Sequence, residues 1–177
     1  IESDHTQFID LGFKLSSETV IDLDFMPVDA AISGTYALEG YFGARASSTD
    51  RNIEVIHDND SISIDLNYNA TETSQFRTSY GSLASARYLA HIESGNVSLM
   101  HLESGLVRAS SKVEAEPFET EQNAHLFDSS AGGSFTFGKM RFYSLKVSSR
   151  DGRVLHRFVP EFDEDGRIGV RDLVPAA

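Results

Sequence analysis

Residues 19–26 read TVIDLDFM, and the order of side chains within them sets the fold class. Ile21, Leu23 and Phe25 fall on alternate positions, with Asp22 and Asp24 between them. A period of two turns the three apolar side chains to one face of a strand and the two carboxylates to the other, the pattern of a half-buried antiparallel strand. The same alternation returns in SISIDLNY, residues 61–68, through Ile62, Ile64 and Leu66. Turn-forming clusters separate such runs: Lys14 to Ser17, Asn59-Asp60, Ser94-Gly95, Ser104-Gly105, Asp151-Gly152 and Asp165-Gly166. Strands at this spacing, with no long helical stripe between them, predict an all-β sandwich or barrel.

One segment is ambiguous by composition. SLASARYLAHIESG, residues 82–95, has the alanines and leucines of a helical turn or two. It runs, however, into a local near-repeat, HIESGNVSLM followed by HLESGLVRAS. Each half closes on Glu-Ser-Gly and opens again on a β-compatible run, so two consecutive hairpin turns of a meander are expected. SSAGGSF, residues 129–135, is too short to link domains, and apolar strands resume directly after it. The chain reads as one domain over residues 1–177.

Its 177 residues are enough to bury a core, and 40% are hydrophobic, above the range of disordered chains. No apolar run approaches the roughly 20 residues of a membrane-spanning helix, so no membrane insertion is expected. Twenty-seven acidic against 15 basic residues give a net charge of −12, which repels phosphate backbones and predicts no nucleic-acid partner. With no cysteine, disulfides, zinc–thiolate sites and cysteine nucleophiles are excluded. The start at Ile1 rather than methionine predicts that a leader or upstream segment has been removed.

IESDHTQFIDLGF, residues 1–13, resembles the opening strand of bacterial concanavalin A-like (laminin-G-like) jelly-roll modules, and YFGARASS, residues 41–48, resembles their short Phe-Gly-Ala-Arg strand. The tail, GKMRFYSLKVSSRDGRVLHRFVPEFDEDGRIGVRDLV, residues 138–174, resembles their closing hairpin and is the most specific of the three. The middle, about residues 49–121, matches only by strand pattern. The resemblance implies a two-sheet antiparallel β-sandwich, a concanavalin A-like jelly roll, with N- and C-terminal strands adjacent. It further implies a carbohydrate-binding lectin or adhesion module, secreted or on the cell surface, with a glycan or surface protein as partner. Fold alone does not fix function, since lectins, glycosidases and structural pieces share this one.

The candidate sites are weaker than the fold. EFDEDGRIG, residues 161–169, crowds acids ahead of a glycine, but an EF-type calcium loop needs alternating oxygen ligands closed by a bidentate glutamate. Here the glycine comes too early and no glutamate closes the loop, so a turn is expected. HDND, residues 57–60, could offer two carboxylates to calcium or be an exposed polar loop; no cofactor is expected, with calcium left open. The six histidines lack transition-metal spacing. Glycoside hydrolysis needs two carboxylates across a sugar. Glu114 and Glu116 share parity ahead of Pro117, and Asp22 and Asp24 share the expected solvent side of their strand, so neither pair makes a catalytic case.

Sugar recognition stacks pyranose faces on flat aromatics, and the chain has no tryptophan. Tyr68 and Tyr80 fall near turn-rich ends, where each could be a platform or part of the core rim. Arg45 closes the Phe-Gly-Ala-Arg strand, where its fork could grip hydroxyls or pair with an aspartate. The expected ligand-binding set is therefore Arg45, His57, Tyr68 and Tyr80. A non-catalytic carbohydrate-binding or adhesion module is the expected function. A structural protein-interaction module, as in a phage tail or surface assembly, is the rival, and a glycoside hydrolase stands third.

Overall fold

The computed structural model describes residues 1–3, 8–28, 38–45, 52–58, 63–69, 75–79, 85–112, 117–128 and 136–175. These form strands and turns, with no helix among them. In chain order the strands are β1 (Ile9–Ser16), β2 (Thr19–Pro27), β3 (Leu38–Arg45), β4 (Asn52–Asp58), β5 (Ser63–Asn69), β6 (Gln75–Ser79) and β7 (Tyr88–Glu93). They continue with β8 (Asn96–His101), β9 (Leu106–Ser111), β10 (Glu119–Leu126), β11 (Thr136–Phe137), β12 (Met140–Ser149), β13 (Val154–Phe162) and β14 (Ile168–Asp172). One sheet has the order β1-β10-β3-β4-β5-β6, with the two-residue β11 running parallel to β3. The other has the order β14-β13-β12-β2-β7-β8-β9. Every other pairing is antiparallel. The fold is the two-sheet β-sandwich of jelly-roll type.

The alternation of TVIDLDFM explains why β2 lies at the centre of its sheet. Ile21, Leu23 and Phe25 are fully buried, while Asp22 and Asp24 stay on the outer face. Facing them across the sandwich are Phe42 and Ala44 of β3, Ile53 and Val55 of β4, and Leu66 of β5, all fully buried in the same core. Burying each such side chain contributes about 1.5–3 kcal/mol, and this inner layer is what holds the sheets together. On β12 the register against β2 slips between Phe142 and Ser144, and this bulge brings both Phe142 and Leu145 to the core despite their odd spacing.

The near-repeat at residues 91–110 folds as the meander β7-β8-β9, with Gly95 and Gly105 at positive φ in its two turns. In the Phe-Gly-Ala-Arg strand, a Cβ on Gly43 would lie 2.6 Å from the carbonyl oxygen of Ile53. That glycine is there to let β3 and β4 approach. The tail folds as the hairpins β12-β13 and β13-β14, turning at Asp151-Gly152 and Asp165-Gly166 with Gly152 and Gly166 at φ of 87° and 74°.

Candidate functional site

Of the four residues expected to bind ligand, His57 and Tyr68 lie in the core. His57 does not sit in an exposed polar loop: it lies within β4, is fully buried, and stacks on Tyr41 with ring centroids 5.9 Å apart. Parity places His57 with Ile53 and Val55 on the inward face, opposite Glu39 and Ile64, and Glu54 and Ile56 on the outward parity are buried as well. Tyr68 is likewise not exposed. It follows Ile64 and Leu66 at even spacing, is 1% exposed, packs edge-on against Phe118, and donates its hydroxyl to the Ser17 carbonyl oxygen. Burial pushes the Tyr68 phenol up from its ordinary value. Arg45 ends β3 opposite Asn52, five residues of β4 and about 17 Å from His57; its side chain, like all of Tyr80, lies outside the described residues. Asn59 and Asp60 also lie outside them.

The stretch EFDEDGRIG is a hairpin turn. The Asp163 carboxylate bends back onto its own loop and accepts the backbone N–H groups of Asp165 and Arg167, at 3.0 and 2.7 Å. Among the described residues no three His, Asp or Glu side chains are placed to share an ion. Glu114 and Glu116 lie outside the described residues.

The outer face of the β12-β2-β7 sheet carries a cluster of paired charges. Asp22 accepts from His91 at 2.7 Å and from Lys146 at 2.9 Å, and Asp24 receives a two-point grip from Arg87 at 2.7 and 2.6 Å. The Arg87 guanidinium also lies 4.0 Å above the Tyr143 ring, covering that potential platform on this face. The His91 hydrogen bond holds the Asp22 carboxyl below its usual range, and the same bond raises His91. Asp22 and Asp24 are thus consumed by cross-strand pairing and do not converge on a cleft.

The flank formed by the terminal strands differs. Here β1 and β14 are the edges of their respective sheets, and Phe13 of β1 stacks on His156 of β13 at 4.3 Å and on Phe158 at 5.9 Å. His156 Nδ1 meets Asp172 Oδ2 at 2.6 Å, while Asp172 Oδ1 accepts the backbone N–H groups of Arg157 and Val174. Burial works to raise the Asp172 carboxyl, but those hydrogen bonds outweigh it and hold the group low. This pair lines a cleft of about 610 Å³ together with Arg153 and the apolar Val154, Leu155, Val174 and Pro175.

Beyond the stack, the β13-β14 hairpin carries the inner face of its sheet into solvent. Phe158, Pro160 and Phe162 alternate along β13, opposite Asp172, Val170 and Ile168 of β14. Phe158 is 7% exposed, whereas Phe162 and Ile168 at the far end are 68% and 52% exposed. A strip that begins in the core therefore ends as an uncovered apolar surface, bordered by Asp163, Glu164 and Asp165 at the hairpin tip. The sequence held the signal: Phe162 and Ile168 sit at equal distances from the Asp165 turn and at inward parity.

No family model matches this sequence, and no curated protein matches it. Among solved structures, domains LG4-5 of the mouse laminin alpha1 chain are similar with a TM-score of 0.46 at 12% identity, covering 84% of this chain and 39% of that one. Tailspike protein 2 of the Escherichia coli O157:H7 bacteriophage CAB120 is similar with a TM-score of 0.45 at 15% identity, covering 75% of this chain and 20% of that one. The chain thus spans well under half of either protein. Scores below 0.5 do not establish a shared fold, and the sandwich is defined by its own strand pairing.

Proposed function

We propose that this domain is a non-catalytic adhesion module that docks another protein along the terminal-strand flank, as part of a secreted or surface-attached protein. The observation that carries this reading is the apolar inner face of the β13-β14 hairpin, continuous with the core yet open at Phe162 and Ile168. Large apolar side chains side by side on a hairpin, rimmed by charge, are what a protein partner covers. A glycan site would instead pair an open aromatic face with unsatisfied polar groups. Two of the four residues expected to supply one, His57 and Tyr68, are inside the core. The three acids at the tip define the partner's chemistry as apolar with basic flanks.

The test compares the wild type with Phe162→Ser/Ile168→Ser, both exposed positions where substitution leaves the fold intact. A random peptide library selected on the wild-type domain should yield binders that lose roughly tenfold or more on the double variant, given the apolar area removed. Glycan-array binding that the double variant leaves untouched, with no peptide binder at this flank, replaces this reading with a lectin.

A further inference from the structure

We infer that the partner joins this flank as an added strand, an extended segment with a basic end pairing with the free edge of β14. This rests on the flank being the docking face and adds the mode and chemistry of docking. The hydrogen-bond pattern shows which backbone groups are available. Leu173 donates its N–H to the Arg157 carbonyl oxygen, and Asp163 donates its N–H to that of Arg167. The register between β13 and β14 is unbroken from Phe158↔Asp172 to Phe162↔Ile168. In an antiparallel pair, residues that bond across the ladder alternate with residues that bond outward. The odd-numbered residues of β14, Gly169 and Arg171, therefore bond to β13. Ile168, Val170 and Asp172 turn their N–H and C=O groups to the open edge.

Other edges are poorer templates. β1 is interrupted around Gly12, where φ is 76°, the Asp10 carboxylate takes the Gly12 N–H, and the register against β10 slips. β9 has exposed Leu106 and Val107, but its pairing with β8 is shifted and it lies against β6, the edge of the opposite sheet. β14 alone of these three keeps an unbroken ladder beside an open apolar strip. An unbroken edge is the geometry that strand addition uses.

The two ends of the edge fix the segment's direction. At the tip, Asp163, Glu164 and Asp165 face one cation, Arg167, whose contact with Asp165 is 3.9 Å and almost fully in water. At the other end lies the cleft of Val154, Leu155, Val174 and Pro175. Antiparallel addition, the rule throughout this sheet, runs the segment from cleft to tip. Its N-terminal end then places an apolar side chain in the cleft, alternate apolar residues cover Ile168 and Val170, and basic residues at its C-terminal end reach the acids. Residues 166–174, from the tip to the cleft, measure about 30 Å, the length of a nine-residue segment.

The probe is the synthetic peptide acetyl-VTVTVTVKK-amide, with acetyl-VTVTVTVEE-amide as its control. Hydrogen exchange of the Ile168 and Val170 amides should slow at least tenfold under saturating VTVTVTVKK, while Gly169 and Arg171, already bonded to β13, change little. The acidic control should bind several-fold more weakly. Val170→Pro removes an outward donor without touching a bond to β13 and should abolish peptide binding, with the domain still folded. Peptide shifts around Phe162 without slowed exchange at Ile168 and Val170 overturn strand addition and leave flank docking standing. No perturbation of the flank, together with no library binder there, overturns both. Slowed exchange that depends on domain concentration without peptide assigns the edge to a second copy and overturns the basic partner.

Discussion

His91 stands on the outer face of β7 with Asp22 at 2.7 Å on one ring nitrogen and Glu93 at 3.7 Å from the other, and Lys146 approaches the same Asp22 from β12. The hydrogen bond to Asp22 raises His91, so its stabilisation is fully present below the ordinary imidazole value near 6.5 and is lost as pH rises through the raised value. Asp22 is lowered, so its share is present above the ordinary carboxylate range and is lost as pH falls through the lowered value. The pair therefore contributes most between about pH 4 and 6.5. His91→Gln should lower stability by about 1 kcal/mol at pH 5.5, and the difference from wild type should shrink by pH 9. Paired urea unfolding curves at the two pH values check this, and an equal difference at both would show the bond to be neutral. Individual side chains were legible in the sequence where parity was applied. Asp22 and Asp24 face outward for the reason TVIDLDFM gives, and the same counting from Ile53 or Ile64 takes His57 and Tyr68 inward. Their polarity and nearness to turn residues concealed it.

At the scale of strands and turns, the tail was the most legible part because its turns carry their own chemistry. Ser149 hydrogen-bonds to the Asp151 side chain, and the Gly152 N–H donates to the Ser149 carbonyl oxygen. A Cβ at Gly152 would meet nothing within 4 Å, so its requirement is conformational rather than steric. Gly152→Val should therefore destabilise the domain by about 1 kcal/mol or more through its left-handed backbone alone, and Gly152→Asn should lose clearly less. Thermal melts of the two variants separate the causes, since equal losses would point to crowding. The strand β4 was less legible. Asn52–Asp58 mixes Glu54 and His57 among its apolar residues, and its last two residues read, with Asn59 and Asp60, as a polar loop or calcium site. All of its residues from Ile53 to His57 are nevertheless buried. Its burial depends on neighbours in β3 and β5 that are close only in the folded sheet.

Two sheets pressed face to face need closure at their open sides, and the sequence does not reveal which sides those are. Alternation predicts a sandwich, but strand order follows from pairings such as β12 with β2 and β10 with β3, which join residues about a hundred positions apart. At the terminal flank the closure is aromatic. Phe13 reaches from the edge of one sheet to lie nearly parallel to the rings of His156 and Phe158 in the other. His156 is fixed in turn by Asp172, so the stack is braced by a hydrogen bond on its far side. Phe13 is only half-buried, and its removal leaves a partly open gap rather than a closed cavity. Phe13→Ala should therefore destabilise by about 1–3 kcal/mol, below the loss at a fully buried phenylalanine such as Phe142. In a domain of this size that lowers the melting temperature by roughly 2–10 °C. The stack is a tie between sheets, so hydrogen exchange should speed first at the amides of β1 and β13 and leave β2 and β7 near wild type. Phe13→Tyr, which keeps the ring, should restore most of the protection. Uniform acceleration across both sheets would instead make Phe13 an ordinary core residue and leave the flank closed by other contacts.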